Sequence, residues 1–311
     1  MSSPFRRRTF GSAVLFACVL LSCGRAEDTA PVTFCAYNLK NWLSQKPLGA
    51  AEDAPLITKP EKEKARVLAF LQQIQPDILG VCEIGTAADL TEFQARLKAA
   101  GIDLPHTEFN HGGDPTRSLA LLSRFPIVAR NSQSRLDYQM GAAILPMQRG
   151  ILDATLEIAP HFQVRLVGVH LKSKRAIPEA DEALMRRNEA HLLRRHLDAI
   201  LTKSPQTNIV CYGDFNEHRN EPAISEIIGS RASDTYMTDI LLRDAAGLVW
   251  THFWDAADVY SRFDYFFVSR ALRPHVDTRQ SHIFTAADFD DASDHRPIVL
   301  TLKNVPAAHP Q

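Results

Sequence analysis

The chain has 311 residues, of which 45% are hydrophobic and 23% are charged, which is enough for one large core or two modest ones. Without the three arginines of residues 1–23, the 35 basic residues become 32 against 36 acidic ones, a net charge of −4. This balance excludes a global attraction to nucleic acid or anionic lipid, so any polyanion has to be held locally.

Residues 1–26 have the order of an export signal. Three arginines at 6–8 precede an apolar run from Gly11 to Leu21, which is too short to span a bilayer comfortably, and small residues follow. Leu20-Leu21-Ser22-Cys23 resembles the lipobox of bacterial lipoproteins, in which Cys23 carries lipid, and the competing cleavage site lies after Ala26. We expect a protein exported to the periplasm or the cell exterior, attached to a membrane only through a lipid anchor at Cys23.

From residue 32 onward, strand and helix patterns alternate without a linker, which predicts a single domain at 27–311. A strand at 32–37 precedes Thr58-Lys59-Pro60-Glu61, which has the spacing of a capping box. The apolar stripe of the helix that follows consists of Val67, Phe70, Leu71 and Ile74. Pro76 and Asp77 end this helix, a buried strand is predicted at 78–82, and a second helix carries Leu90, Phe93 and Leu97.

The middle and last thirds alternate again between strands and a helix. Strands are predicted at 118–122, 127–130, 151–158 and 164–169. A long helix has Met185, Leu192, Leu193, Leu197 and Ile200 on one side, with Arg186, Arg187, Arg194 and Arg195 interpreted as a solvated face. Further strands are predicted at 208–212, 263–268 and 297–302. This order suggests two β-sheets packed face to face with helices outside.

Eight polar side chains lie at or next to the ends of predicted apolar strands: Asn38, Glu83, His170, Asp214, Asn216, Asp264, Asp294 and His295. Each alone has an ordinary explanation; Asp264, for example, could pair with Arg262. Their joint occurrence favours a shared site, because burying so many ionisable groups is costly unless they share a cation or pair with each other. Carboxylate, amide and imidazole groups are those needed to hydrolyse a phosphate ester on a hard divalent cation.

Three cysteines lie outside the signal, at Cys35, Cys82 and Cys211. Each lies an odd number of residues before a polar strand-end residue, so strand alternation predicts that the thiols point away from the site. We expect small buried thiols rather than metal ligands, and an odd number argues against a full disulfide framework.

Six segments occur in one order: Tyr37-Asn38-Leu39, Pro76 through Glu83, His170-Leu171-Lys172-Ser173, Gly213 to Asn216, Phe263-Asp264-Tyr265 and Ser293 to Pro297. This ordered set resembles the endonuclease/exonuclease/phosphatase (DNase I-like) superfamily over about residues 32–302. The resemblance implies an α/β fold, a four-layer sandwich with two mostly antiparallel sheets packed face to face and helices outside. It also implies a metal-dependent phosphoric ester hydrolase.

The resemblance assigns roles to the strand-end residues. Asn38 and Glu83 resemble the family's metal ligands and suit Mg²⁺, with Mn²⁺ or Ca²⁺ as alternatives, and Asp294 is expected to reach the metal from the other sheet. Asp214 and Asn216, two residues apart, are expected to position the attacking water and a phosphate oxygen.

The histidines and basic residues complete the expected site. His295 resembles a general base or a phosphate-contacting imidazole, with Asp264 orienting its ring, and His170 resembles a residue that binds the scissile phosphate or assists the leaving group. Arg117, Arg149 and Lys172 are candidates for substrate binding, although solvated loop arginines are an equally good interpretation for the first two.

Departures from the family's patterns leave the substrate open. Inositol-phosphate phosphatases carry Trp-Cys-Asp-Arg where this chain has Arg262-Phe263-Asp264-Tyr265, and no exposed apolar hairpin of the sphingomyelinase kind is evident. We expect an exported, monomeric, nuclease-like phosphodiesterase, with nucleic acid as one candidate substrate. The alternatives are a phosphomonoesterase, a lipid phosphodiesterase, or a non-catalytic protein that holds a phosphorylated ligand.

Overall fold

The computed structural model describes residues 31–46, 51, 54–178 and 180–305. The predicted export signal and the lipobox cysteine lie outside these residues. Within the described ranges, no helix combines the length and the apolar character needed to cross a bilayer.

Eighteen strands and four α-helices make up the described ranges. The strands are β1 (Val32–Trp42), β2 (Ser44–Gln45), β3 (Ile57–Thr58), β4 (Ile78–Ile84), β5 (His106–Asn110), β6 (Ser118–Ser123), β7 (Ile127–Arg130), β8 (Asp137–Met140), β9 (Ala143–Pro146), β10 (Leu152–Ala159), β11 (Phe162–His170), β12 (Ile209–Asp214), β13 (Met237–Asp239), β14 (His252–Trp254), β15 (Val259–Ser261), β16 (Asp264–Ser269), β17 (His282–Ile283) and β18 (Ile298–Leu302). The helices are α1 (Glu61–Ile74), α2 (Ala87–Ala99), α3 (Glu182–Lys203) and α4 (Pro222–Ile228).

Two six-stranded sheets form the centre of the molecule. The first has the order β17-β18-β1-β4-β6-β5 and the second the order β13-β16-β12-β11-β10-β7. Each sheet is antiparallel except for one parallel pair, β1 with β4 in the first and β11 with β12 in the second. The prediction of two mostly antiparallel sheets is therefore confirmed.

Three apolar clusters separate four layers. One lies between the sheets and includes Phe34, Leu166 and Phe266. A second joins the first sheet to α1 and α2, and a third joins the second sheet to α3 and α4. The alternation of inward and outward residues along each strand supplies both faces of both sheets, so the layers follow from the strand pattern. The α/β sandwich predicted from the sequence is confirmed.

The capping box predicted at Thr58 to Glu61 is wrong. Pro60 is the N-terminal cap of α1 and no side chain caps the helix, while the buried Lys59 ammonium donates to Glu63 Oε2 (2.9 Å) and to the Lys40 carbonyl. A capping box with both reciprocal hydrogen bonds occurs instead at α2, between Thr86 and Asp89.

The solvated face predicted for α3 is also wrong for Arg186 and Arg194. Both are buried, and Arg186 Nε donates to Glu217 Oε2 at 2.8 Å. Arg194 donates to the carbonyl oxygens of Ile227 and Thr235. These acceptors lie on distant segments, so the helix pattern alone could not reveal them. Arg187 and Arg195 are exposed as predicted.

Candidate active site

The carboxyl ends of the two parallel pairs meet at one edge of the sandwich. Asn38, on β1, donates from Nδ2 to Asp214 Oδ2 of β12 at 3.1 Å, and the same nitrogen lies 3.4 Å from Glu83 Oε1 of β4. His170, on β11, places Nε2 3.5 Å from Asp214 Oδ2 and 4.0 Å from Glu83 Oε1. The structure therefore brings four of the predicted residues together, two from each sheet.

A bulge in β4 directs the Glu83 carboxylate toward Asn38 and His170. Glu83 has φ 61°, and the register between β4 and its neighbours shifts beside it. Asn41, itself at φ 63°, donates its backbone N–H to Glu83 Oε2 at 3.0 Å. Left-handed backbone is costly for residues other than glycine, and such strain is concentrated at functional sites. The hydrogen bond helps to hold the strained carboxylate in place.

The same bulge corrects the prediction for one cysteine. Cys35 and Cys211 point to the outer layers as predicted, but Cys82 lies in the cluster between the sheets, with Sγ 3.6 Å from the Val169 carbonyl oxygen. Because the strand alternation breaks at Glu83, Cys82 and Glu83 face the same side of the sheet, while Ile84 faces the outer cluster. All three thiols are buried, as predicted, and free within the described residues.

His295 and Asp264 form a buried pair beside Asp214. His295 Nδ1 lies 2.8 Å from Asp264 Oδ2, and Nε2 lies 3.6 Å from Asp214 Oδ2. Arg262, the alternative partner considered for Asp264, instead binds Asp239 at 2.6 Å. An imidazole held at one nitrogen by a carboxylate and open at the other is the usual arrangement of a general base.

Asn216 is held against Asp214 rather than extended into the cleft. Its backbone N–H donates to Asp214 Oδ1 at 2.8 Å, and its Nδ2 donates to the Leu171 carbonyl at 3.1 Å. With φ 49°, Asn216 adopts the left-handed region that Asn tolerates better than most residues. This turn fixes the Asp214 carboxylate.

Asp294 is half-buried next to His295, and its neighbour Ser293 makes the contact to β1. Ser293 Oγ donates to the Asn38 carbonyl at 2.8 Å and also lies 3.4 Å from Asp294 Oδ1. The structure thus places Asp294 at the rim of the group formed by Asn38 and Glu83, without a direct contact to either in the described residues.

The three predicted substrate-binding cations differ in their surroundings. Arg117 lies at the site, with Nε 3.5 Å from Glu83 Oε2 and 2.9 Å from Asn41 Oδ1. Arg149 is buried and pairs with Asp114 at 3.0 Å. Lys172 turns its ammonium to the carbonyl oxygens of its own loop, so the structure does not bring that ammonium to the carboxylates.

Burial and mutual charge shift the pKa values of the site. Burial raises the pKa of Asp214 to about 7, against the opposing charge of His295. Burial alone would lower the pKa of His295, but Asp264 and Asp214 outweigh it and raise the pKa to about 10. Burial, followed by the charges of Arg149, His295 and Arg117, lowers the pKa of His170 well below its usual value. His170 is therefore a neutral imidazole, and its buried Nδ1 has no hydrogen-bond partner among the described residues.

Two groups of side chains could hold a divalent cation. Asp214, Asp264 and His295 offer atoms within 4.8 Å of one another. However, His295 and Asp264 are already bound to each other, which occupies a ring nitrogen and one carboxylate oxygen. The carboxylate oxygens of Glu83 and Asp214 fit a hard cation better, because such ions prefer carboxylate and amide oxygens. Asn38 turns its Nδ2 toward them while its Oδ1 accepts the Lys40 N–H at 3.0 Å, so its oxygen joins this group only when the amide turns over. The group carries more negative than positive charge in a buried place, and a cation would offset that repulsion.

Two site residues were missed in the sequence. Thr251 Oγ1 accepts hydrogen bonds from the backbone N–H groups of Phe263 and Asp264, both at 3.0 Å. His252 packs its ring 4.7 Å from that of His295 and stacks on Phe263. Neither follows a buried strand of a six-stranded sheet, so the strand-end criterion could not select them.

An exposed hairpin also departs from the prediction. Strands β14 and β15 pair with each other, and their side chains include Trp254, Val259 and Tyr260, which are 57%, 43% and 52% exposed. The sequence shows no clear apolar hairpin because the turn of this one contains Asp255 and Asp258, which interrupt the apolar pattern.

Several solved structures share this fold. The catalytic domain of human Nocturnin with bound sulfate is 18% identical over 89% of this chain and 98% of that domain, with a TM-score of 0.61. An endonuclease/exonuclease/phosphatase from Bacteroides vulgatus is 17% identical over 88% and 98%, with a TM-score of 0.59. Sphingomyelinase C from Streptomyces griseocarneus is 15% identical over 88% and 100%, with a TM-score of 0.58. These likenesses show the fold.

The sequence comparison identifies the family. No curated protein matches the chain significantly. The profile of the endonuclease/exonuclease/phosphatase family matches residues 56–295, more than half of the chain, and this range includes the strand ends that supply Glu83, His170, Asp214, Asp264 and His295. The protein therefore belongs to the endonuclease/exonuclease/phosphatase family.

Proposed function

We propose that this protein is a divalent-metal-dependent phosphodiesterase that hydrolyses its substrate by in-line attack of water. The observation that carries the proposal is the convergence of the His295–Asp264 pair on Asp214, within reach of Glu83, Asn38 and His170. The group contains a candidate base, oxygen donors for a cation and a neutral imidazole on the other side of Asp214.

Each residue has a role that its contacts support. His295 Nε2 accepts the proton of the attacking water, while Asp264 holds Nδ1 and stabilises the imidazolium that forms. The high pKa of His295 comes from the neighbouring carboxylates. A cation bound near those carboxylates would therefore lower the pKa of His295 toward about 7, so that the imidazole could act as a base at neutral pH. Asp214, fixed by the backbone of Asn216, orients the water.

The remaining residues bind the phosphate or the cation that contacts it. Glu83 and Asn38 would hold Mg²⁺ or Mn²⁺, with Asp294 contributing from the rim, and the bound cation would neutralise the charge that develops on the phosphoryl oxygens. His170 donates a hydrogen bond to a phosphoryl or leaving-group oxygen. Arg117 and Arg149 offer further positive charge on this side, whereas the loop contacts of Lys172 favour a structural role.

The compartment is a proposal from the sequence. The signal-like order of residues 1–26 supports export, with a lipid anchor at Cys23 as one form of attachment. The acidic balance of the rest of the chain supports a substrate that is held locally at the cleft rather than along an extended basic surface. Nucleic acid, a lipid phosphodiester and small diesters all remain candidate substrates.

Hydrolysis of bis-p-nitrophenyl phosphate with Mg²⁺ or Mn²⁺ tests the proposal. We expect metal-dependent turnover, a loss of about 10²- to 10⁴-fold in His295→Ala, and loss of the metal response in Glu83→Ala. His282→Ala and Glu157→Ala, which remove the same groups far from the cleft, serve as controls and should keep wild-type rates. No metal-dependent turnover of this or any other phosphate ester, or equal turnover in all four variants, would refute the proposal.

A further inference from the structure

The exposed hairpin formed by β14 and β15 starts at the catalytic pair. His252 forms an isolated antiparallel bridge with His295, and the backbone N–H of Phe253 donates to the Asp294 carbonyl at 2.9 Å. The hairpin therefore extends the cleft outward from His295.

The two faces of the hairpin have different surroundings. The strands pair His252 with Ser261, Phe253 with Tyr260 and Trp254 with Val259. Since side chains alternate along a strand and paired residues share a face, Trp254 and Val259 lie on the face of His252. Phe253 and Tyr260 lie on the other face, where their stacked rings pack with Trp250 and Phe289. The aromatic contacts of the second face support the hairpin, although Tyr260 stays 52% exposed, and the first face is the one that begins at His295.

The part of this face formed by Trp254 and Val259 is apolar and open, whereas His252 at its base packs against Phe263 and His295. Trp254 is 57% exposed and Val259 is 43% exposed, although aromatic side chains gain most when they are covered. No lysine or arginine occurs between residues 250 and 261, and the turn contributes Asp255 and Asp258. The carboxylates of Asp255 and Asp258 disfavour a negatively charged group at the tip of the hairpin, next to Trp254, whereas the charge of Lys40 acts nearer its base, at His252. An uncharged flat or apolar group fits the surface.

The chemistry of in-line displacement decides which part of the substrate reaches this face. The attacking water lies with His295, and the leaving group departs on the opposite side of the phosphorus. A group next to His295 therefore contacts neither the departing oxygen nor its substituent. The hairpin is placed to meet the ester arm that stays on the phosphorus.

We propose that the face formed by His252, Trp254 and Val259 binds the retained ester arm of a phosphodiester and prefers an uncharged aromatic ring there. This inference rests on the proposed phosphodiesterase function and deepens it. A phosphomonoester lacks such an arm, so contact with the hairpin would favour diesters over monoesters as substrates.

Two diesters with the same leaving group test the proposal. Bis-p-nitrophenyl phosphate and methyl p-nitrophenyl phosphate both release p-nitrophenolate, but only the first retains an aromatic arm. We expect Trp254→Ala to lower kcat/KM for the first by about tenfold, a typical effect of removing one stacked ring, and to change kcat/KM for the second by less than twofold. Trp254→Phe should keep most of the difference between the substrates.

The controls separate a subsite from a structural role. Ile144→Ala removes an apolar side chain that is even more exposed (73%) on the β8–β9 hairpin and should change neither rate constant. If Trp254→Ala lowers both rate constants equally, or neither, the hairpin does not bind the retained arm and the inference is wrong although the phosphodiesterase stands. If the wild-type protein hydrolyses neither diester, the proposed function fails and this inference fails with it.

Discussion

At the scale of single residues, the orientation of the catalytic pair depends on a threonine hydroxyl. Thr251 is 1% exposed, and its Oγ1 is the shared acceptor for the N–H groups of Phe263 and Asp264. Its own carbonyl accepts the Arg296 N–H at 2.7 Å. Thr251 thus joins the segments on both sides of the pair, the one that contains Asp264 and the one that contains His295.

We expect Thr251→Val to damage the site while preserving its shape. Valine fills the same volume but accepts no hydrogen bond, so two buried N–H groups lose their partner at a cost of about 1–3 kcal/mol. Turnover should fall by about tenfold or more with little change in KM, because Asp264 then orients His295 less well. Thr251→Ser restores the hydroxyl and should recover most of the loss. Steady-state kinetics and urea denaturation measure both effects, and a loss in kcat shared equally by the serine variant would contradict this role.

The sequence could predict the site residues that follow buried strands but not their supports. Asn38, Glu83, His170, Asp214 and His295 each end or precede an apolar run, and strands of one sheet bring such ends together. Thr251 and His252 lie in a short hairpin with no buried strand before it. Their contacts depend on where distant segments pack, which local periodicity does not encode.

At the scale of elements, a buried ion cluster ties α3 to the second sheet. Asp153 of β10 has no exposed surface, and Arg165 of β11 binds it through Nε at 2.7 Å. His196 of α3 lies 2.7 Å from the same carboxylate. Burial would raise the pKa of Asp153, but His196 and Arg165 outweigh burial and hold the pKa below its ordinary value.

This cluster predicts a pH-dependent part of the stability. A carboxylate whose pKa is lowered by folding stabilises the protein above its unfolded-state pKa, near 4, and this contribution is lost as the pH falls through the lower folded-state value. We expect Asp153→Asn to reduce the free energy of unfolding by about 3 kcal/mol at pH 7 and by less below pH 4.

An exposed ion pair provides the control. Asp103 lies 3.6 Å from Lys98 at the surface, and Asp103→Asn should cost little at either pH. Denaturant titrations of the three proteins between pH 3 and pH 7 measure the difference. A cost for Asp153→Asn that stays constant over this range would show that the carboxylate charge is not what stabilises the cluster.

The elements show where periodicity predicts well and where it fails. The helices at Val67 to Ile74 and at Met185 to Ile200 follow the predicted stripes, because burial against a sheet selects one side of a helix. The bulge at Glu83 could not be predicted, since alternation assigns Cys82 and Glu83 to opposite sides. Tertiary contacts with Asn38 and Asn41 stabilise the left-handed conformation that alternation excludes.

At the scale of the whole molecule, one tyrosine fills the space between the sheets. Tyr212 of the second sheet lies against Gly80 of the first, where an added Cβ would come within 2.1 Å of the Tyr212 ring. Gly168, on the strand next to Tyr212, leaves the ring similar room, since a Cβ there would lie 2.8 Å from Cζ. The missing side chain at Gly80 therefore allows the sheets to lie this close, and the one missing at Gly168 makes room for the ring within its own sheet.

We expect Gly80→Ala to destabilise the protein by about 1–3 kcal/mol, because overpacking forces side chains and backbone to move. Tyr212→Leu also costs stability but removes the ring that the new methyl group meets. The double variant should therefore be more stable than the sum of the two single effects predicts. Urea denaturation of the four proteins gives the coupling energy, and strictly additive effects would mean that the two residues do not compete for space.

The site also predicts how a cation affects the whole sandwich. Since Glu83 and Asn38 come from one sheet and Asp214 comes from the other, a cation bound among them stabilises the folded state alone. Mg²⁺ at about 100 times its Kd should add about 2.7 kcal/mol to the free energy of unfolding. Glu83→Ala should abolish this gain, whereas Glu157→Ala should keep it. Thermal unfolding at matched ionic strength measures the shift, and an equal shift in both variants would argue against this site.

The position of β18 has a consequence for the order of synthesis. This strand pairs with β1 across more than 250 residues of sequence, and His295 precedes it directly. A nascent chain that has reached residue 290 can form the whole second sheet, yet it lacks His295 and leaves one edge of β1 without a partner. The cleft is therefore completed by one of the last segments to be made. A chain that ends before residue 295 therefore carries Asp214 and Asp264 but not the proposed base.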